Sequence, residues 1–145
     1  MTRGRVEVRG AGGALALALV LAAQAGQAQE RAGAIAFAQA VELSGGVGTG
    51  TTLEEAVAAA RAACVAGGAA EADCLISAAC QPAGWSIDVF VQHREGPHWH
   101  EFTCGIADQA MVAGIAEAVC DREARPWLME CAVVEVRDPS GSLVQ

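Results

Sequence analysis

The sequence predicts an α+β fold in which two β-β-α-β repeats form an antiparallel sheet with two helices packed on it. Three observations favour this fold. The chain has 145 residues, of which 53% are hydrophobic and 18% charged, which suits one buried core better than disorder. A pattern recurs along the chain and aligns Cys64 with Cys120. Six cysteines lie in the same segment, enough for three stabilising disulfides.

Residues 1–28 are typical of a secretory signal peptide. Arg3, Arg5 and Arg9 precede the apolar run ALALALVLAA, and small residues follow at 23–25 and 26–28. The run is shorter than the roughly 20 apolar residues that a membrane-spanning helix needs. We expect cleavage after Ala28, with Ala25 as the alternative. Residues 29–145 would then form a single disulfide-stapled domain in the periplasm or outside the cell.

The charge of the chain excludes several classes of function. The net charge is −8, and all nine basic residues are arginine. A nucleic-acid-binding face needs clustered positive charge, and so does adsorption to an anionic membrane. The absence of lysine also removes Schiff-base chemistry and the lysine of a phosphate-binding loop. We therefore expect no nucleic-acid partner and no membrane association after signal cleavage.

The first repeat contains two strands, a helix and a third strand. The strands are predicted at 34–38, 46–50 and 75–80, where short apolar or Gly-rich runs are bounded by turn residues. Thr52 and Glu55 have the spacing of a helix capping box. Apolar residues then recur at helical spacing, namely Leu53, Ala56, Val57, Ala60 and Cys64.

The second repeat has the same pattern. Strands are predicted at 87–93, 100–105 and 132–137, and Asp108 is a suitable N-cap for the intervening helix. The apolar positions of that helix are Val112, Ile115, Ala116 and Val119. The tail from about residue 138 is rich in turn residues, and we expect it to be frayed.

The repeat predicts which cysteines pair. Two pairs occupy equivalent positions in the two repeats, and the remaining two cysteines have no counterpart, so they are left to bond with each other. The predicted disulfides are Cys64–Cys74, Cys80–Cys104 and Cys120–Cys131. A zinc site is the alternative, but the closest cysteine spacing is wider than the C-x₂₋₄-C pairs typical of such sites.

The segments GAIAFA and GVGTGTTLEEAVAAARAAC, followed by a strand that a cysteine leads, resemble the secreted bacterial domain-of-unknown-function family 4189. The resemblance runs from about Ala32 to Val136. It implies a short strand, a glycine-rich second strand, an Ala-rich helix that ends in cysteine, and a cysteine-led strand. The family brings no established activity, so the resemblance implies no catalytic residues.

All three histidines of the chain lie close together, in the segment HREGPHWHE. The Gly-Pro step predicts a hairpin turn, and strand alternation then places His98 and His100 on one face and Trp99 on the other. With His93 across the turn, the imidazoles form a weak candidate for a Zn²⁺ or Cu²⁺ site, completed by Glu101 or by Glu95. The alternative is an exposed loop without metal. The zincin motif H-E-x-x-H is absent.

Catalytic motifs are absent from the sequence, so we predict no catalytic residues and no cofactor. The cysteines are assigned to disulfides, and no serine lies in a G-x-S-x-G elbow. The glycine run at 45–50 lies in a predicted strand, where glycine permits a bulge or close packing. The preferred function is an exported, non-enzymatic, small binding or inhibitor-type module whose partner is an unknown protein or envelope component. The alternative is a periplasmic metal-binding protein that uses His93, His98 and His100. A small hydrolase is the third interpretation.

Overall fold

A computed structural model describes residues 33–145, so the predicted signal segment 1–28 lies outside the described residues. The elements follow one another as β1 (Ala34–Ala40), β2 (Ser44–Gly50), α1 (Leu53–Ala66), β3 (Leu75–Cys80), β4 (Trp85–His93), β5 (His98–Ile106), α2 (Ala110–Val119) and β6 (Leu128–Arg137). A short 3₁₀ turn, Glu71–Asp73, precedes β3. Neither helix in this part of the chain is long and apolar enough to cross a membrane.

The predicted α+β fold, with antiparallel strands, two helices and three disulfides, is confirmed. The strands form two three-stranded antiparallel sheets rather than the one sheet that we expected. Their orders are β2-β1-β3 and β5-β4-β6, so in each half the second strand of the chain pairs with the first, which pairs with the third. The two halves therefore have the same local topology.

Small residues allow α1 to lie close to the first sheet. One face of β1 carries only alanines, which pack with the buried side of α1 at Ala56, Ala60 and Cys64. On β2, a Cβ atom at Gly46 or Gly48 would collide with the backbone of α1. Of the two expectations for the glycine run, a bulge or close packing, the structure shows close packing, and the element packed there is α1.

Larger residues fill the corresponding layer of the second half. Ile87, Val89 and Val91 of β4 are fully buried and pack with Val112 of α2. Three tryptophans surround this cluster and are partly buried, namely Trp85, Trp99 and Trp127. The second helix is therefore separated from its sheet by a layer of side chains.

The other faces of the two sheets meet at one end. Ile35 and Phe37 of β1 are buried there, and the ring of Phe37 stacks on that of Phe102 in β5 with centroids 4.8 Å apart. The disulfide Cys80–Cys104 joins β3 to β5 across the same contact. The other two disulfides, Cys64–Cys74 and Cys120–Cys131, close one loop in each half, in the predicted pairing.

The helix starts agree with prediction, whereas the tail differs from it. The capping box of Thr52 and Glu55 is present. Asp108 caps the start of α2 as predicted, since its carboxylate accepts a hydrogen bond from the backbone N–H of Ala110 at 2.9 Å and the intervening Gln109 already has helical φ and ψ. The tail is not frayed. The Asp138 carboxylate accepts hydrogen bonds from the backbone N–H groups of Ser140 and Ser142, which turns the chain back, and Leu143 then bridges to Arg137.

Candidate functional site

A cleft of about 400 Å³ opens beside the contact between the sheets. We call it the inter-sheet cleft. The tip of the β1–β2 hairpin forms one side, and β4, β5 and β6 form the other. Its polar lining residues are Gln39, Glu42, Ser44, Asp88, His98, His100 and Glu135, and its larger apolar lining residues are Leu43, Val47, Trp99, Phe102 and Val134. Its volume lies within the range of small-molecule pockets.

Asp88 and His100 are the central polar pair of the cleft. Asp88 of β4 lies opposite Phe102 in the strand register, so His100, two residues before Phe102 on β5, is its diagonal neighbour on the same face. Both carboxylate oxygens of Asp88 lie within hydrogen-bond distance of His100 Nδ1, at 2.8 and 3.0 Å. The side chain of Asp88 is 10% exposed and that of His100 is 35% exposed, so the histidine reaches solvent and the carboxylate does not.

Burial raises the pKa of the Asp88 carboxyl above its usual range, and the hydrogen bond with His100 opposes part of that increase. The nearby carboxylate of Glu135 also raises this pKa, whereas Arg137 lowers it. Two acceptor oxygens on one ring nitrogen indicate that Nδ1 carries the hydrogen. In a neutral imidazole the other nitrogen, Nε2, is then an acceptor.

Gln39 fixes the backbone of His100 to the first sheet. Its Oε1 accepts a hydrogen bond from the backbone N–H of His100 at 2.7 Å, and its Nε2 donates to the carbonyl of His100 at 3.1 Å. One amide side chain thus satisfies both backbone groups of a residue in the other half. This connection holds the strand of His100 at a fixed position relative to β1.

Glu42 and His98 form the rim of the cleft. Glu42, at the hairpin tip, has a φ of 64°, the only positive φ of a non-glycine residue in the described part of the chain. Its Oε1 accepts a hydrogen bond from the backbone N–H of His98 at 3.3 Å and lies 3.9 Å from His98 Nδ1. This contact connects the first hairpin to the start of β5.

The residues of the weak metal candidate are divided between two faces of the second sheet. His98 and His100 share the cleft face, as predicted, but His93 stacks on Trp127 on the opposite face, with ring centroids 5.1 Å apart. Glu101 is on that opposite face too, where it pairs with Arg125 at 2.6 Å. The expectation that His93 joins the other two histidines is wrong, because β4 brings it to the side of the sheet that α2 covers.

No metal site is assembled elsewhere in the described chain. Among residues 33–145, no group of three or more His, Cys, Asp or Glu side chains is placed to hold a metal ion. Glu95, the other proposed fourth ligand, is 82% exposed in the turn. Its carboxylate lies 4.0 Å from His93 Nδ1, which already accepts a hydrogen bond from the backbone N–H of Glu95 at 3.1 Å.

Within the described residues, the Asp88–His100 pair also lacks the nucleophile of a hydrolytic triad. Ser86 is the serine closest to Asp88 along β4, but it is 1% exposed and its Oγ has no hydrogen-bond partner in the described structure. All six cysteines are in disulfides. No serine or cysteine side chain in the described residues hydrogen-bonds to the His100 ring, so the arrangement lacks the nucleophile–base contact of covalent catalysis.

Sequence reasoning missed Asp88 and Gln39. Each is a lone polar residue inside an apolar strand, in IDVFV and AIAFAQA respectively. A charged residue that a strand buries must be paired, and this rule was the available signal. The contact of Gln39 with His100 was not predictable, since these two residues are in different halves of the chain.

Comparison with protein-family models, curated proteins and solved structures found no match. The resemblance to the domain-of-unknown-function family 4189 therefore stays a prediction.

Proposed function

We propose that this protein is an exported, non-enzymatic binding module that holds a ligand in the inter-sheet cleft. The observation that carries the proposal is the cleft itself, a concave site of about 400 Å³ in which buried and half-buried polar groups converge beside apolar walls. This combination is typical of small-molecule sites. The lack of a nucleophile on His100 favours binding over hydrolysis.

The framework supports a preformed site. Gln39 and Glu42 both bond to backbone groups of β5, and the disulfide Cys80–Cys104 ties the same two sheets together. A cleft whose walls are cross-linked loses little conformational freedom when a ligand enters, which favours affinity. An inhibitor-type module uses the same rigidity.

Export is part of the proposal. Three disulfides persist in oxidising compartments, and residues 1–28 have the pattern of a signal peptide. N-terminal sequencing of protein from outside the cytoplasm should find a chain that begins near Gln29. A chain that retains Met1 in a membrane fraction would contradict export and make residues 11–23 an anchor.

The binding proposal is tested by an NMR titration of the oxidised protein with small aromatic amines, alcohols and acids. We expect the amide shifts caused by at least one class to cluster at the cleft, near Gly46, His98 and Val134. The variant His100→Gln should alter these shifts. The control His93→Gln changes the same residue type on the other face of the sheet and should leave them unchanged.

The non-enzymatic part has its own assay. We expect wild type and His100→Gln alike to show no turnover of an unactivated ester such as ethyl acetate, since no serine or cysteine side chain of the described residues contacts His100. Turnover that His100→Gln abolishes and His93→Gln retains would contradict this part of the proposal and favour the hydrolase interpretation.

A further inference from the structure

The acceptor groups of the inter-sheet cleft indicate which kind of ligand it takes. Its lining contains the carboxylates of Glu42, Asp88 and Glu135 and the imidazoles of His98 and His100, and no arginine among residues 33–145 lines it. A carboxylate only accepts hydrogen bonds when ionised. The three carboxylates therefore favour a ligand that supplies hydrogen-bond donors.

His100 adds a further hydrogen-bond acceptor to the cleft. Because Asp88 engages Nδ1 from a buried position, the second ring nitrogen of the neutral imidazole is an acceptor, and the ring is exposed enough to meet a ligand. A carboxylate behind an imidazole fixes its tautomer and leaves the far nitrogen as the hydrogen-bond acceptor. An anionic ligand would face this acceptor without a hydrogen bond.

Glu135 offers a second acceptor at the same wall. Arg137 donates from Nε and Nη2 to one oxygen of Glu135, Oε2, at 3.0 and 2.7 Å. The third nitrogen of the guanidinium, Nη1, donates a hydrogen bond to the carbonyl oxygen of Gly141 at 3.0 Å. The guanidinium is thus held by the tail turn and by Oε2, and no donor of the described residues hydrogen-bonds to Oε1 of Glu135.

The remaining walls are apolar. Leu43 is 69% exposed at the hairpin tip and Val134 is 44% exposed on β6. Phe102, stacked on Phe37, also lines the cleft. A ligand that covers these side chains gains from the burial of apolar surface, so its body is apolar while its head group donates hydrogen bonds.

We propose that the inter-sheet cleft binds an organic ammonium ion, an amine with an apolar body, with its N–H donors directed to His100 and Glu135. The inference rests on the proposed binding function and names its ligand class. It follows from the cleft, the orientation of the Asp88–His100 pair and the apolar walls together.

The test compares three probes of the same shape, namely benzylamine, benzyl alcohol and benzoate, at about pH 7.5. Each is titrated into the oxidised full-length mature chain and followed by amide NMR shifts. We expect benzylamine to bind at the cleft at least about tenfold more tightly than benzoate, which corresponds to the energy of one good charge-assisted contact. Benzyl alcohol, a neutral donor, should fall between them.

A pair of isosteric variants isolates the role of Glu135. Glu135→Gln removes a charge from the cleft wall, whereas Glu130→Gln removes the same charge from an exposed position on the same strand, outside the cleft lining. We expect the first to weaken benzylamine about fivefold while leaving benzyl alcohol unchanged, and the second to change neither. Equal effects of the two variants would mean that only overall charge attracts the amine, which would overturn the inference.

The remaining outcomes separate the inference from the function on which it rests. Benzoate that binds at the cleft as tightly as benzylamine would overturn the ligand class and leave the binding cleft in place. If none of the three probes moves the amide signals of the cleft while the spectra show a folded chain, the ammonium proposal is wrong and the binding function loses its support.

Discussion

The two halves of the protein share one topology and differ in the size of the residues between sheet and helix. In the first half, alanines of β1 and glycines of β2 bring α1 against the strand backbone. In the second, Ile87, Val89 and Val91 form the floor under α2, and Trp99 lies beside it. The same strand order therefore accommodates both a thin and a thick apolar layer, because topology depends on strand pairing rather than on side-chain volume.

The halves also differ on the faces that turn toward each other. The first sheet contributes Ile35, Phe37 and the uncharged Gln39, whereas the second contributes the charged Asp88 and the titratable His100. The first half thus supplies a rigid wall and the second supplies the chemistry of the cleft. Four sets of substitutions test these differences between the two halves.

The largest expected effect comes from the disulfides inside each half. The pairs Cys64–Cys74 and Cys120–Cys131 span similar loops, with sequence separations of 10 and 11, so loop entropy stabilises both to a similar extent. Cys64 and Cys74 are also fully buried, at 0% and 2% exposure. We expect the double alanine variant of that pair to lose about 3–5 kcal/mol, because it also leaves a cavity in a close-packed layer.

The matched double alanine variant of Cys120 and Cys131 should lose less free energy of unfolding, about 2–3 kcal/mol. Both cysteines are half-buried, so their removal mainly gives the unfolded chain more conformational freedom. Urea unfolding of both variants under non-reducing conditions gives the two values. If the second variant is the less stable one, the thin layer is not the more sensitive of the two.

The next effect concerns the contact between β2 and α1. Gly48→Ala places a methyl group against the carbonyl oxygen of Ala56 and the backbone nitrogen of Ala60, which cannot rotate away. We expect a loss of about 3 kcal/mol in the free energy of unfolding. Gly45→Ala is the control, because its Cβ would point to the other face of β2 and meet its nearest neighbour, the carbonyl oxygen of Ala38, at 3.8 Å. Equal losses would show that the helix does not rest on the strand backbone.

These packing relations explain what the sequence was able to predict. Thr52, Glu55 and the spacing of the cysteines are local or repeated signals, so the helices, the strands and the disulfide pairing followed from them. The division into two sheets did not follow, because alternation assigns faces within a strand and carries no information on which strands join across the two halves.

The cleft could not be predicted from the sequence, because its contacts depend on strand register and on the packing of one sheet on the other. Asp88 meets His100 only through the register of β4 and β5, and Gln39 meets His100 only through the packing of one sheet on the other. The histidine cluster misled for the same reason. Nearness in sequence placed His93 with His100, whereas the sheet separates them on opposite faces.

The third effect has the opposite sign and comes from the second helix. Gly114 lies inside α2 and is exposed, and a Cβ atom added there would meet no other side chain or strand within 4 Å, in contrast to Gly48. Gly114→Ala should stabilise the protein by about 0.5–1 kcal/mol, because alanine loses less backbone freedom on entering a helix. Thermal unfolding checks the sign. A destabilised Gly114→Ala variant would mean that α2, like α1, is packed through a glycine.

The smallest expected effect is a pH dependence that only the second half carries. Because burial raises the pKa of Asp88, the folded chain takes up a proton there at a higher pH than the unfolded chain does. The group therefore adds stability as the pH falls through the raised native pKa, and this contribution is lost as the pH rises. Asp88→Asn keeps an acceptor for His100 Nδ1 and removes the buried carboxylate, the charge for which the first sheet has no equivalent.

The difference in stability between wild type and Asp88→Asn isolates this contribution, since every other titrating group is common to the two chains. His100, Glu135 and Arg137 face Asp88 from β5 and β6. Repeating the comparison in the His100→Gln background removes the imidazole from the site. In both backgrounds, urea unfolding from about pH 8 to about pH 4 should show wild type gaining on the asparagine variant as the pH falls. If the asparagine variant instead gains on wild type as the pH falls, His100 and Arg137 stabilise the carboxylate more than burial destabilises it. The second half, like the first, would then contain no charge between the sheets that burial destabilises.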